Sequence, residues 1–134
     1  MAIQNFSTAN VLVSVNGQVI DDWGKAEEPY TDEFINPPSA LEIGLGGNGV
    51  RFDRNSPGRR VTLSLNPGSP QASFLQGLLN SNANITIGKT ILGTLEESVG
   101  LNGVITTDGP VGRGGMSATD NVFTIEFVGW TQTK

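Results

Sequence analysis

The stretch that decides the fold is residues 11–20, which read VLVSVNGQVI. Two runs of strand-forming residues flank the dipeptide Asn16-Gly17. Asn-Gly tolerates positive φ at both central positions of a type I′ turn, the turn that joins two antiparallel strands most tightly. The stretch therefore predicts a β-hairpin and indicates an antiparallel β protein.

Four further stretches alternate between apolar and polar residues with the period of two that is typical of strands, and a fifth, residues 101–107, is a less regular strand candidate. In the first of them, Leu41, Ile43 and Leu45 are expected on one face of a strand. The opposite faces of these strands carry Thr, Ser, Gly and Asn far more than Lys or Glu. Free monomers guard their sheets with charge, so such faces favour packing against another copy, the alternative being a half-solvated sheet of a monomer. The stretches are residues 41–45, 61–65, 84–91, 101–107 and 122–130.

One helix is predicted over about residues 70–80, where it would cover one end or face of the sheet. Ser69-Pro70 provides an N-cap and a first-turn proline. Four apolar residues then lie on one helical face: Phe74, Leu75, Leu78 and Leu79. Residues 24–39 and 108–120 are predicted to be irregular, and 24–39 to become ordered on assembly. The fold class is mainly β, an antiparallel β-sandwich or partial barrel with one short flanking helix, in a single domain over residues 1–134.

Composition excludes several classes of function. The 134 residues are 16% charged, compared with about 25% in ordinary domains, and include no Cys and no His. A disulfide framework, a thiolate metal site and a histidine general base are therefore excluded, and we expect neither cofactor nor metal. The net charge of −5 opposes binding to the phosphate backbone of nucleic acids. The first residues lack the basic and apolar regions of a signal peptide, and no apolar run could span a membrane, so we expect synthesis in the cytoplasm.

Two motifs suggest chemistry but lack its context. Residues 44–49 match the dinucleotide pattern G-x-G-x-x-G, yet a strand-like segment follows where a helix should begin, so a hairpin turn is the better interpretation. Adjacent acids occur at Asp21-Asp22, Glu27-Glu28, Asp32-Glu33 and Glu96-Glu97, without the facing geometry of a glycosidase, and we interpret them as solvated loops. No serine has an evident activating base. The protein is therefore predicted not to be an enzyme.

Charge is segregated into two segments. Residues 21–33 have a net charge of −5, and residues 51–60 have a net charge of +3. The basic segment could bind nucleic acid, pair with the acidic segment of its own subunit, or pair with that of a neighbour. Pairing with a neighbour would be a head-to-tail contact, which closes into rings or extends into filaments. The candidate subunit-interface residues are Asp21, Asp22, Glu27, Glu28, Asp32, Glu33, Arg51, Arg54, Arg59 and Arg60.

Taken in order, these motifs resemble the tail-tube proteins of contractile-tailed bacteriophages. The resemblance covers nearly the whole chain, and order and spacing carry it. The matching segments are Phe6 to Gly17, Gly49-Val50-Arg51 with Arg54-Asn55, Gly58 to Leu65, Asn66 to Asn80, and Gly112-Arg113 followed by Phe123 to Trp130.

The resemblance implies a β-sandwich or partial barrel flanked by a helix. It implies six-membered rings whose inner sheets join into one barrel and which stack into a hollow tube inside a contractile sheath. The expected partners are further copies of the chain, the sheath and baseplate proteins, and viral DNA that passes through an acidic lumen without specific binding. The expected location is the tail of the virion, with no membrane association.

Three alternatives remain at this point. One is another tail, terminator or baseplate component. A second is a tube protein of type VI secretion, which shares the fold. The third is a small carbohydrate-binding or hydrolytic domain, which would need exposed aromatic residues from among Trp23, Tyr30 and Trp130.

Overall fold

Nine strands and one helix form in residues 11–91 and 96–132, the parts of the chain that the computed structural model describes. The first part of the family resemblance, residues 6–10, lies outside them. The helix α1 spans Pro70–Asn80. The strands are β1 (Val11–Val15), β2 (Gln18–Ile20), β3 (Tyr30–Phe34), β4 (Ser39–Ile43), β5 (Gly49–Asp53), β6 (Arg59–Leu65), β7 (Ile85–Ile91), β8 (Glu97–Asp108) and β9 (Asn121–Gln132).

The predicted hairpin turn joins β1 to β2. Asn16 and Gly17 have φ angles of 50° and 86°, the positive values that a type I′ turn requires. The Asn16 side chain also fastens the hairpin to β7, because its Oδ1 accepts from the Thr86 N–H at 2.8 Å and its Nδ2 donates to the Asn84 carbonyl at 3.1 Å. The hairpin prediction from residues 11–20 is confirmed.

Seven strands form one antiparallel sheet in the order β2-β1-β7-β8-β9-β6-β3. The sheet curls back on itself, since Lys89 Nζ of β7 lies 3.6 Å from Asp32 Oδ2 of β3 although three strands separate β7 from β3. The curled sheet does not close as a barrel within the described residues. The predicted class, mainly β and antiparallel with one short helix, is confirmed.

The concave side of the curled sheet holds the core. The helix closes this core as predicted: Ser69 Oγ accepts from the Ala72 N–H at 3.1 Å, and the Ala72 and Leu75 side chains are buried. No helix in residues 11–91 and 96–132 has the length and hydropathy to cross a bilayer. The largest fully buried side chains are those of Ile20, Leu63, Leu65, Leu75, Ile85, Ile87, Phe123, Ile125 and Phe127.

The prediction that residues 24–39 are irregular is wrong, because β3 forms there and pairs with β6 from Tyr30↔Leu63 to Phe34↔Arg59. Alternate residues of this strand face inward, but the central one is Asp32, whose charge is compensated by partners on other strands. Apolar alternation therefore does not mark the strand. Of the segment 108–120, predicted to be irregular, Asp108 ends β8 and residues 109–120 form an irregular loop. Arg113 braces that loop by donating to the carbonyl oxygens of Gly112 and Thr119.

Gly103 allows the Phe127 ring to lie against the backbone of β8. A Cβ atom at this position would be 2.4 Å from two ring carbons of Phe127. We expect Gly103→Ala to lower the free energy of unfolding by about 1–3 kcal/mol, the usual range for overpacking a core. Gly115→Ala is the control, because its Cβ would meet nothing within 4 Å. Urea denaturation measures both, and equal midpoints for the two variants would contradict the prediction.

Candidate assembly surfaces

Strands β4 and β5 form a separate two-stranded hairpin outside the seven-stranded sheet, which we call the arm (residues 39–53). Its turn is the glycine-rich segment at residues 44–49. The Gly44 N–H donates to the Asn48 carbonyl at 2.9 Å, and Gly47 has a φ of 85°. The interpretation of this segment as a hairpin turn is confirmed.

Every strand residue of the arm is exposed. The register places Leu41 and Ile43 on one face, with exposed fractions of 67% and 70%, and Val50 and Phe52 on the other, with 55% and 52%. Leu45, predicted to share a strand face with Leu41, lies in the turn instead. A two-stranded hairpin is at best marginally stable alone in water. The exposed apolar side chains on both faces of the arm mark it as a candidate contact surface.

The root of the arm is held by local polar contacts. Arg51 Nε lies 2.7 Å from Asp53 Oδ1, and Ser39 Oγ donates to the same oxygen at 2.8 Å. The Arg54 Nε donates to the Pro37 carbonyl at 3.3 Å. These contacts keep the strands of the arm together without attaching it to the body of the subunit.

A buried charge cluster lies between β3, β6 and β7. The Asp32 carboxylate binds both the Arg59 guanidinium and the Lys89 ammonium, and the exposed fractions of the three side chains are 10%, 11% and 9%. Burial acts to raise the pKa of Asp32, but the hydrogen bond from Arg59 and the nearby positive charges outweigh it and lower the pKa. Burial, together with the Asp32 charge, raises the pKa of Tyr30, so the phenol stays neutral. The assignment of Asp32 to a solvated acidic loop is wrong.

Aromatic rings cover this cluster. The Arg59 guanidinium carbon lies 4.6 Å from the Phe34 ring centroid and 5.6 Å from that of Trp130, distances at which a cation is attracted to the ring face. Lys89 lies 5.3 Å from the Tyr30 ring centroid in the same way. Tyr30, Trp23 and Trp130 are all packed against the core. Their burial is evidence against a carbohydrate site built on exposed aromatic residues.

The acidic and basic segments meet within one subunit at two points. Besides the Asp32–Arg59 pair, Arg60 Nη1 lies 3.3 Å from Glu33 Oε1, and its Nη2 lies 3.9 Å from Glu126 Oε2. Four of the ten predicted interface residues thus pair between the two charged segments of their own chain, which was one of the open alternatives.

The remaining acids of the segment divide into two kinds. Asp21 and Asp22 hold the helix, because their backbone N–H groups donate to Gln71 Oε1 at 2.9 Å each. Asp22 Oδ1 also accepts from Asn66 Nδ2 at 2.6 Å. Glu27 and Glu28 are exposed and form no salt bridge within the described residues. Of the predicted acidic interface residues, these two are the most available to a neighbour.

A groove lies beside the end of β9, which we call the β9 groove. It has a volume of about 630 Å³ and lies between the chain at residues 55–58 and the last five residues of β9. Its apolar walls come from Phe34, Pro57, Val128 and Trp130, and no charged side chain lines it. The described residues contain no cluster of His, Asp and Glu that could hold a metal.

Sequence reasoning missed both the arm and the groove. Alternation over residues 41–45 predicts a strand with its apolar residues on one face, but the apolar residues of the following strand, Val50 and Phe52, lie on the opposite face of the hairpin. The signal that could have identified the arm is a predicted hairpin with apolar residues on both of its faces. Few apolar residues flank that hairpin in the sequence. The groove depends on where β6 ends relative to β9, which no local pattern reveals.

Comparison with known proteins gives a match of fold. No protein-family model matches the chain, and no curated protein sequence matches it. Solved structures do. A chain in the cryo-EM structure of the anti-feeding prophage cap (AFP tube terminating cap) is 16% identical with a TM-score of 0.64, and the match covers 100% of this chain and 95% of that one.

Two structures of an extracellular contractile injection system, PVC, match as well. One is the sheath-tube complex in the extended state, with a TM-score of 0.62, 15% identity, and coverage of 96% of this chain and 91% of that one. The other is the sheath/tube terminator in the extended state, with a TM-score of 0.61, 16% identity and coverage of 100% of both chains. The chain has the fold of tube-related proteins of contractile injection systems, which confirms the fold that the resemblance implied.

Proposed function

We propose that this chain is a structural subunit of a contractile tail, which assembles with copies of itself into stacked, six-membered rings that form the inner tube. One observation carries the proposal: the whole subunit has the fold of a chain in a sheath-tube complex, with nearly complete coverage of both. The exposed apolar arm supports it, because among residues 11–91 and 96–132 its two strands pair only with each other.

The expected surroundings follow from that assignment. The tube would lie inside a sheath and be attached to a baseplate, in the tail of a virion or of an extracellular particle of the kind seen in the matched structures. Its channel would carry a genome during ejection, and the net charge of −5 would keep DNA from adhering to the wall. A tube protein of type VI secretion is the alternative in the same structural class.

Support for a non-enzymatic function comes from the charged groups themselves. Asp32, whose side chain is 10% exposed, is neutralised by Arg59 and Lys89, and Asp21 and Asp22 bind the start of the helix region. A carboxylate committed to two cations has a lowered pKa and is a poor proton donor near neutral pH.

A second candidate is a terminator or cap that ends the tube, since two of the matched structures are of such complexes. Electron microscopy of the purified protein over a range of concentration and salt separates the candidates. A tube subunit forms stacked rings of increasing length, whereas a terminator stops at one ring. Compact monomers under every condition would contradict both.

Charge reversal at Glu27 and Glu28 tests the predicted electrostatic contact. We expect Glu27→Lys with Glu28→Lys to weaken assembly by about tenfold at low salt, because exposed complementary charges contribute modestly and set register. The difference should shrink at high salt, where such charges are screened. Sedimentation velocity at two salt concentrations measures it. Equal assembly of the variant and the native protein at low salt would remove these two residues from the interface.

A reversal at Arg59 is not a valid test of assembly. Arg59→Glu would place a second carboxylate beside Asp32 in a buried site, so the subunit itself would lose stability. Arg60 is more exposed and can be changed with less effect on folding, and its variant reports on the surface pairs with Glu33 and Glu126 alone.

A further inference from the structure

Among residues 11–91 and 96–132, the last five residues of β9 have a strand partner on one side only. Pairing with β6 ends at Arg59↔Phe127, whereas pairing with β8 continues to Ser98↔Gln132. Within the described residues, the backbone of residues 128–132 therefore presents an open sheet edge. The β9 groove runs along this edge. An open edge of this length is a template for an added strand.

The arm carries a strand that fits this edge. β4 spans five residues, Ser39–Ile43. In the part of the chain that the structure describes it pairs only with β5, so its outer edge is also open there. Five strand residues span about 17 Å, so the two edges match in length. Addition of a strand to an exposed edge satisfies backbone groups on both chains and lets alternate side chains enter pockets.

The side chains of β4 are also chemically compatible with those that line the β9 groove. Leu41 and Ile43 lie on one face of β4, and the only charged residue of that strand, Glu42, lies on the other. The β9 groove offers the Phe34 and Trp130 rings and no charge. The apolar face of β4 would thus meet a wall that is uncharged and partly apolar, and Glu42 would remain directed away from it.

We propose that the β9 groove receives strand β4 of the arm of a second copy, which pairs with residues 128–132 and continues the neighbour's sheet. The groove lies at the root of the arm, next to residues 55–58. Each copy therefore binds the arm of one neighbour at the base of its own arm. The contact is head-to-tail and can be repeated from copy to copy. This inference rests on the proposed function, since it names the partner surface for self-assembly.

Single-cysteine variants test this contact, because the chain contains no cysteine of its own. Leu41→Cys is mixed with Val128→Cys in one sample and with Thr131→Cys in another, and each mixture is oxidised under assembly conditions. All three positions are exposed, so the subunit should stay folded. The control mixture pairs Leu41→Cys with Ser81→Cys, an exposed position after the helix. Two target positions on β9 allow for the register of the added strand.

We expect disulfide-linked heterodimers in at least one β9 mixture at a yield about tenfold above the control. Yields equal to the control, or a product dominated by Leu41→Cys homodimers, would overturn the inference. Electron microscopy of the same samples keeps the two proposals apart. Rings or tubes without the heterodimer would overturn the arm–groove contact and leave the proposed function standing, whereas the absence of any assembly would overturn both.

Discussion

Replacing the apolar side chains on one face of the arm should abolish assembly while leaving the subunit folded. In Leu41→Asp with Ile43→Asp, each change removes about 1.5–3 kcal/mol of apolar burial from a subunit contact. The pair should therefore weaken each contact by about 10²–10⁴-fold, since each 1.4 kcal/mol is tenfold in affinity. Both side chains are mostly exposed in the single subunit, so its thermal unfolding should not change.

Sedimentation velocity and negative-stain microscopy measure the loss of assembly, and calorimetry of the dissociated subunit measures folding. Val111→Asp with Met116→Asp is the matched control, because both residues are exposed and apolar but lie in the loop after β8. An equal loss of assembly in the control would show that the arm has no special part in the contact. A lowered unfolding temperature for the arm variant would show that it packs on its own subunit.

Asp32→Ala should destabilise the subunit by about 3 kcal/mol. The change leaves Arg59 and Lys89 buried without a counter-charge, and breaking a buried pair from one side costs about 3–5 kcal/mol. Asp53→Ala is the control, because Asp53 binds Arg51 in a comparable pair on the exposed arm. Urea denaturation of dissociated subunits should move the midpoint for Asp32→Ala and leave it in place for Asp53→Ala.

The pH dependence gives a second readout of the same cluster. The pKa of Asp32 is lowered in the folded state, so its ionised form stabilises the fold at pH values above its unfolded pKa. That stability is lost as the pH falls from about 4 through the folded pKa. The stability of the native subunit should therefore decline more steeply below about pH 4 than that of Asp32→Ala. Parallel curves would show that the carboxylate does not stabilise the fold by its charge.

Local sequence patterns predicted most of the strands, the Asn16-Gly17 turn and the helix, because those elements depend on turn chemistry, capping and periodicity. They did not predict β3, whose inward residue Asp32 becomes acceptable only when Arg59 and Lys89 arrive from strands distant in sequence. A charge balanced by tertiary contacts has no signature in its own neighbourhood.

The candidate site was predicted less well than the fold. The charge segments indicated Arg59 and Arg60 as interface residues, but both form ion pairs within the subunit. The arm and the β9 groove depend instead on where each strand ends relative to its neighbours. The interface assignments of all ten charged residues stay predictions. Glu27, Glu28, Arg51 and Arg54 are exposed on the subunit.

The pairing of β1 with β7 has a consequence for the order of events in the cell. Val11 lies opposite Ile91, so the sheet cannot form until most of the chain has been made, and folds rich in such distant pairs form in milliseconds to seconds. The arm pairs only nearby residues, such as Ile43 with Gly49, and hairpins of this kind form in microseconds. The arm can therefore form long before the β9 groove. The β9 groove forms only when β6, β8 and β9 are in place. Its formation would therefore determine when newly made chains become able to polymerise.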